Sequence, residues 1–145
     1  MYIFKSLFAL AIAIAITPQV VSSQIVITEI MFYPLTSEST GEFIELYNRS
    51  ETPVNLQGFL VGDQDRLEPI HAVSDSLLLP GRFAVIFDAD YFDGEREYDH
   101  LLPADALIFI VSDKTFGSGG FSNSRSETVF LTTSTGDTLQ LYAYS

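Results

Sequence analysis

Apolar residues in this chain come in short runs closed by turn formers. After residue 24 no window of about 12 residues keeps an apolar stripe at i, i+3, i+4 and i+7 free of Gly, Pro or β-branched clusters. The pattern therefore predicts strands. Ile25–Met31, Phe43–Asn48, Val54–Leu56, Gly58–Gly62, Leu77–Leu79, Phe83–Phe87, Leu107–Val111, Thr128–Thr133 and Thr138–Tyr144 are the candidates. Pro80-Gly81 punctuates one pair, and "STGD" at 134–137 reads as a tight hairpin turn. Eight or nine short strands in one sheet would leave an apolar face uncovered, so the expected architecture is all-β, a two-sheet sandwich. Asp88 to Ala106 is acidic and contains Pro103. It is expected to be a long loop with room for one helical turn. The Gly/Ser-rich "FGSGGFSNS" at 116–124 is expected to be a flexible inter-strand turn. No internal repeat and no second domain is evident.

The first 23 residues have a different pattern. Lys5 precedes ten apolar residues, Leu7 to Ile16, then Pro18, with Val21-Ser22-Ser23 supplying small residues before Gln24. This is the three-part form of a secretory signal peptide. Ten helical residues reach about half of a ~30 Å hydrocarbon core, so no stable membrane span is expected after cleavage. Residues 1–23 are thus assigned to a signal peptide and 24–145 to one domain, exported to a secreted, periplasmic or surface location.

Composition narrows the function classes. Seven Lys and Arg face nineteen Asp and Glu, a net charge of −12. A general nucleic-acid partner is not expected, because such binding needs a basic face against phosphates. The chain has no cysteine, so an exported domain must hold together by its apolar core and thiol chemistry is excluded.

The stretch "GEFIELYN", Gly41 to Asn48, carries two glutamates three apart. In a strand, Glu42, Ile44, Leu46 and Asn48 share one face, and Phe43, Glu45 and Tyr47 the other. Glu42 and Glu45 then point to opposite sides and cannot act as a carboxylate dyad on one substrate. Glu45 is expected to lie outward or to be held by a hydrogen-bond partner.

At these residues the sequence resembles a known family. "IVITEIMFYP", "GEFIELYNRSETPVNLQGFLVGD", "LLLPGRFAVIF" and "FSNSRSETVFLTTSTGDTLQLYAY" are similar, in that order, to the lamin tail domain in its exported bacterial form. The marker positions are Gly41, Glu42, Phe43, Glu45, Leu46, Asn48, Gly58, Pro80 and Gly81. The resemblance implies an immunoglobulin-like β-sandwich and no catalytic residues. It implies adhesion or tethering through a protein or polysaccharide partner. Such domains often continue past their last strand, so the chain is expected to be a truncated reading frame or the leading piece of a longer protein.

Among chemical constellations, "DADYFDGEREYDH" at 88–100 is the best candidate site. Asp88, Asp90, Asp93 and Asp99 offer hard oxygen ligands for Ca²⁺. The EF-hand register fails: with Asp88 as position one, Asp93 falls where Gly is required and Asp99 where Glu is required. A solvated acidic loop with no cofactor is the competing expectation. His71 and His100 lie 29 apart with no zinc-ligand spacing. No G-x-S-x-G elbow and no phosphate loop is present. Asn48-Arg49-Ser50 matches a glycan acceptor at a strand end. The reading that follows is a non-catalytic exported binding module. The alternatives are a small metal-assisted hydrolase using the 88–99 acids with His100, and a truncated fragment of a larger protein.

Overall fold

A computed structural model describes residues 24–35 and 40–145; the signal-peptide assignment falls on 1–23, outside the described residues. The strands are β1 Ile25–Met31, β2 Phe43–Asn48, β3 Val54–Asn55, β4 Leu60–Gly62, β5 Leu67–Ala72, β6 Leu77–Leu78, β7 Phe83–Phe87, β8 Leu107–Val111, β9 Glu127–Thr132 and β10 Thr138–Tyr144. One 3-10 turn, Ala89–Asp93, follows β7. Among the described residues no helix is long and apolar enough to cross a membrane.

The hydrogen-bonded order is β1-β2-β7-β8-β5-β4-β9-β10, with β3-β6 as a small separate pair. Strand β5 changes layers midway. Its first half pairs with β4, Leu60 opposite Pro69. Its second half pairs with β8, Ile70 opposite Val111. The ladder therefore folds into two layers joined at β5. On the far side the edge strands β1 and β10 meet. The Ile27 N–H donates to Gln140 Oε1 at 2.6 Å, and Phe32 stacks on Tyr144 with centroids 4.2 Å apart. Between the layers lies one apolar core that includes Ile44, Leu46, Val61, Ile70, Ile86, Phe109 and Leu131. It holds together a two-layer β-sandwich, as the strand pattern predicts, of the immunoglobulin-like kind that the resemblance implies.

Strand β5 has no counterpart among the predicted strands. Pro69 lacks an N–H and demotes such a run, and Glu68 sits where a core residue would be expected. The chain resolves both. The Ile70 N–H donates to the Phe59 carbonyl at 2.8 Å and the Gly58 N–H to the Ile70 carbonyl at 3.0 Å, while Glu68 finds polar partners inside.

Strands β7 and β8 run parallel, Ile86 opposite Phe109. A parallel pair needs a long crossover, and residues 88–106 supply it. The acidic segment is thus the connection that carries the chain over the outer face of the sheet.

Candidate functional site: the outer face beneath the acidic crossover

Parity along β2 and β7 creates a second apolar surface. Ile44, Leu46, Ala84 and Ile86 face the interior, so Phe43, Val85 and Phe87 face outward. An outward Phe87 that is fully buried needs a cover, and the crossover provides it. Tyr91 stacks on Phe87 at 3.8 Å between centroids and 10° between planes. Tyr98 packs edge-on against Phe43 at 5.0 Å. Phe92, Leu102 and Ile108 complete this smaller core.

The crossover's polar groups hold its shape. The buried Asp88 accepts from the N–H groups of Asp90 (2.9 Å) and Tyr91 (3.0 Å), capping the 3-10 turn. Its Oδ2 is buried without a hydrogen-bond partner. Burial pushes its pKa up to about 6, against the pull of the two amides. The Tyr91 hydroxyl donates to Asp99 at 3.0 Å and accepts from the Tyr98 N–H at 3.0 Å. Burial and that carboxylate push its pKa up to about 12. Asp99 also pairs with Arg96 at 2.8 Å. Arg96 adopts φ +52°, the one non-glycine at positive φ among the described residues. Its guanidinium lies over the Phe92 ring at 5.1 Å.

The four candidate Ca²⁺ ligands are therefore engaged separately. Asp88 caps the turn, Asp90 pairs with Lys114 at 3.2 Å, Asp99 serves Tyr91 and Arg96, and Asp93 is exposed. Among the described residues no three His, Asp or Glu side chains converge as a metal-ligand set. His71 sits on β5 with Nδ1 3.2 Å from Gln57 Nε2, and His100 is exposed in the crossover.

Beside the crossover, between Tyr98, Leu101, Leu102 and the outer face of β1–β2–β7, is a pocket of about 160 Å³. Phe43, Val85 and Phe87 line it with Leu102, and Glu29 and Glu45 are its two carboxylates. Glu45 is half-buried and outward. It accepts from Thr28 Oγ1 at 2.6 Å, so it is both outward and hydrogen-bonded, where the sequence left the two as alternatives.

Glu29 reaches this face through a bulge. Ile25 and Ile27 point inward, so unbroken alternation would send Glu29 inward too. The register instead shifts at Thr28: Ile27 pairs with Leu46, but Glu29 pairs with Glu45 and Ile30 with Ile44. One extra residue re-aims the rest of the strand. Ile30 then packs on the core and Glu29 faces out.

Of the marker positions, Glu42 is the acid that turns inward; it lies on the face opposite Glu45, as strand parity predicts. It is buried, and its Oε1 accepts from the Phe121 N–H at 2.9 Å. Two further buried acids hold the same loop. Asp63 accepts from the Ser118 N–H at 2.9 Å. Glu68 accepts from the Gly117 N–H at 3.1 Å and pairs with Arg66 at 3.2 Å. Burial raises the Glu68 pKa, with Arg66 opposing. The expectation of a flexible turn at 116–124 needs correction. Phe116 and Phe121 are buried and stacked at 4.8 Å, and three carboxylates from strands and turns fix the backbone between and beside them.

Asn48 is fully buried. Its Nδ2 donates to the carbonyls of Thr52 and Leu78, each at 2.9 Å, and its Oδ1 accepts from the Ser50 N–H at 3.0 Å. A glycan could not reach this amide in the folded chain, so the acceptor match is a structural bracket. Gly41 and Leu46 are buried beside it in the chain. Gly81 follows Pro80 with φ +71°, and its N–H donates to the Asn48 carbonyl at 2.8 Å. Gly58, at φ +78°, turns the chain from β3 into β4.

The outer face offers a concave apolar surface edged with acid, an arrangement suited to holding a ligand. A search of curated proteins finds no match. The family model described as Lamin Tail Domain matches residues 18–145, nearly the whole sequence. With its ordered markers each doing structural work in an immunoglobulin-like sandwich, the chain belongs to the lamin tail domain family.

Proposed function

We propose that this protein is a non-catalytic exported binding module that acts at the cell surface or in secreted assemblies by holding a partner on its outer sheet face. The observation that carries the reading is the open apolar concavity between the crossover and β1–β2–β7. Monomeric domains seldom leave apolar concavities open without a use for them. The signal-type N-terminus and the family's sandwich architecture support the same reading.

The test is retention of the tagged chain on cell-envelope material, with the envelope left intact, treated with protease, or oxidised with periodate. Retention lost after protease marks a protein partner. Retention lost after periodate marks a polysaccharide. No retention on intact envelope overturns the proposal.

The crossover acts in this reading as a structural roof and takes no metal. Because Asp88, Asp90 and Asp99 are engaged with separate partners and Asp93 faces solvent, millimolar Ca²⁺ should leave the melting temperature unchanged. A ligand that binds only the folded state raises that temperature, so a clear rise would make the crossover a metal loop after all.

A further inference from the structure

The pocket beneath the crossover combines three features that select one kind of occupant. Its volume, about 160 Å³, equals roughly five waters at ~30 Å³ each. Pockets for drug-sized ligands start at about 300 Å³. The space therefore suits a single side chain better than a sugar chain. Its apolar surface comes from the partly exposed Met31, Phe43, Tyr98 and Leu102 and the exposed Leu101, above the buried Val85 and Phe87. Its polar groups are two carboxylates, Glu29 and Glu45, set directly opposite one another across β1 and β2.

That carboxylate pair is the informative feature. Like charges in directly opposed strand positions destabilise the sheet. The bulge at Thr28 creates the juxtaposition by turning Glu29 outward. Among the described residues neither glutamate forms an ion pair. Arg66 pairs with Glu68 and Asp113, Arg82 with Asp105, Arg96 with Asp99 and Lys114 with Asp90. The fold thus gathers two negative charges at the mouth of an apolar hole, and among the described residues no cation lines it.

We infer that this pocket receives a lysine or arginine side chain of a basic protein partner. The methylene stem lies against the partly exposed Phe43, Leu101 and Leu102, and the charged head lies between Glu29 and Glu45. Long basic side chains are built this way, with an apolar stem and a charged tip. The Tyr98 ring adds an electron-rich surface for the cation. The inference rests on the binding-module reading and specifies the chemistry of its partner.

The experiment uses three capped pentapeptides, Gly-Gly-X-Gly-Gly, with X as lysine, norleucine or Nε-acetyl-lysine. Each is titrated into the ¹⁵N-labelled protein while backbone amide shifts are followed. The lysine peptide should give saturable shifts at Glu29, Glu45 and Tyr98. Norleucine and acetyl-lysine, which keep the stem but lose the charge, should bind at least about ten-fold more weakly. Glu29→Gln and Glu45→Gln should each weaken lysine-peptide binding several-fold, and the double variant should abolish it. Relief of the opposed charges should at the same time leave the melting temperature unchanged or higher, which shows that the variants fold. Equal binding of the three peptides, shifts that map elsewhere, or no saturable shift at all overturns the inference. If envelope retention persists in any of these cases, the module binds through another surface. If retention also fails, the broader reading falls with it.

Discussion

The two irregular segments that connect the long strands are built on opposite plans. The crossover 88–106 is rich in acid, and it packs by turning its rings down and its charges out. Tyr91, Phe92, Tyr98 and Leu102 sit on the sheet, while Arg96 and Asp99 pair with each other in the half-wet layer above and Asp90 reaches Lys114. Between Val111 and Glu127 the connecting loop carries little charge of its own where it enters the core. It sends Phe116 and Phe121 inward, and its backbone amides are met by Glu42, Asp63 and Glu68, which come from elsewhere in the chain. One loop brings most of its own polar partners, with Lys114 for Asp90 as an exception; the other borrows them. The borrowed kind ties together distant parts of the sequence and belongs to the main core. The self-contained kind forms a satellite core that can open with less damage.

Gly117 gives the sharpest way to break this contrast. It has φ +58°, and a Cβ there would overlap the Asp63 carboxylate. Gly117→Ala should therefore cost about 3–4 kcal/mol through left-handed strain and displaced hydrogen bonds. The loss should be global and visible as a lower urea midpoint with an unchanged slope. A loss below about 1 kcal/mol would mean that the buried carboxylates can shift and the loop is not anchored as described.

On the crossover the matching change is Tyr91→Phe. It keeps the stack on Phe87 but removes the donor to Asp99 and the acceptor for the Tyr98 N–H. The expected cost is about 1–2 kcal/mol. Hydrogen exchange should rise across residues 88–106 and stay unchanged in β4 and β9. Faster exchange throughout would show that the satellite core and the main core unfold as one.

The smallest effect is expected at the junction, Asp88. Its folded pKa, about 6, lies above the ordinary aspartate value. A raised carboxyl pKa means that the folded state holds the proton more tightly. The stability it contributes is therefore present below pH ~4 and lost as pH climbs toward ~6. Asp88→Asn keeps an acceptor for the two capping amides and removes the buried charge. It should flatten the stability profile between pH 4 and 6 and be at least neutral at pH 7, measured by melting temperature across that range. Glu68, raised in the same direction, should leave a residual slope. An unaltered profile would show that Asp88 does not titrate in this window.

Much of the sandwich was readable from alternation and turn residues, because half-buried strands write their two faces into the sequence. The parity of Glu42 and Glu45 was legible for that reason. Strand β5 was not, because Pro69 and the buried Glu68 break the pattern, and their compensation comes from Phe59 and Gly117, distant in sequence. The satellite core was hidden for a related cause. Its aromatic residues lie among acids, and composition registers the acids first. The signal was present in the spacing of Tyr91, Phe92, Tyr98 and Leu102 between two strands too apolar to leave a face bare. The pocket was less legible still. It depends on the bulge at Thr28, and no residue type there announces an extra position in the strand.

The meeting of β1 and β10 has a consequence for how the molecule forms. The Gln140 side chain, not a neighbouring strand, takes up the Ile27 N–H. That bond joins positions 113 apart in sequence. During synthesis the first strand emerges well before its closing partner, which follows 113 positions later. For that interval β1 presents an open edge, which is a template for pairing with other chains. The bulge at Thr28 shortens the regular stretch of that edge, so the feature that aims Glu29 outward also guards the nascent chain against sticking to its neighbours.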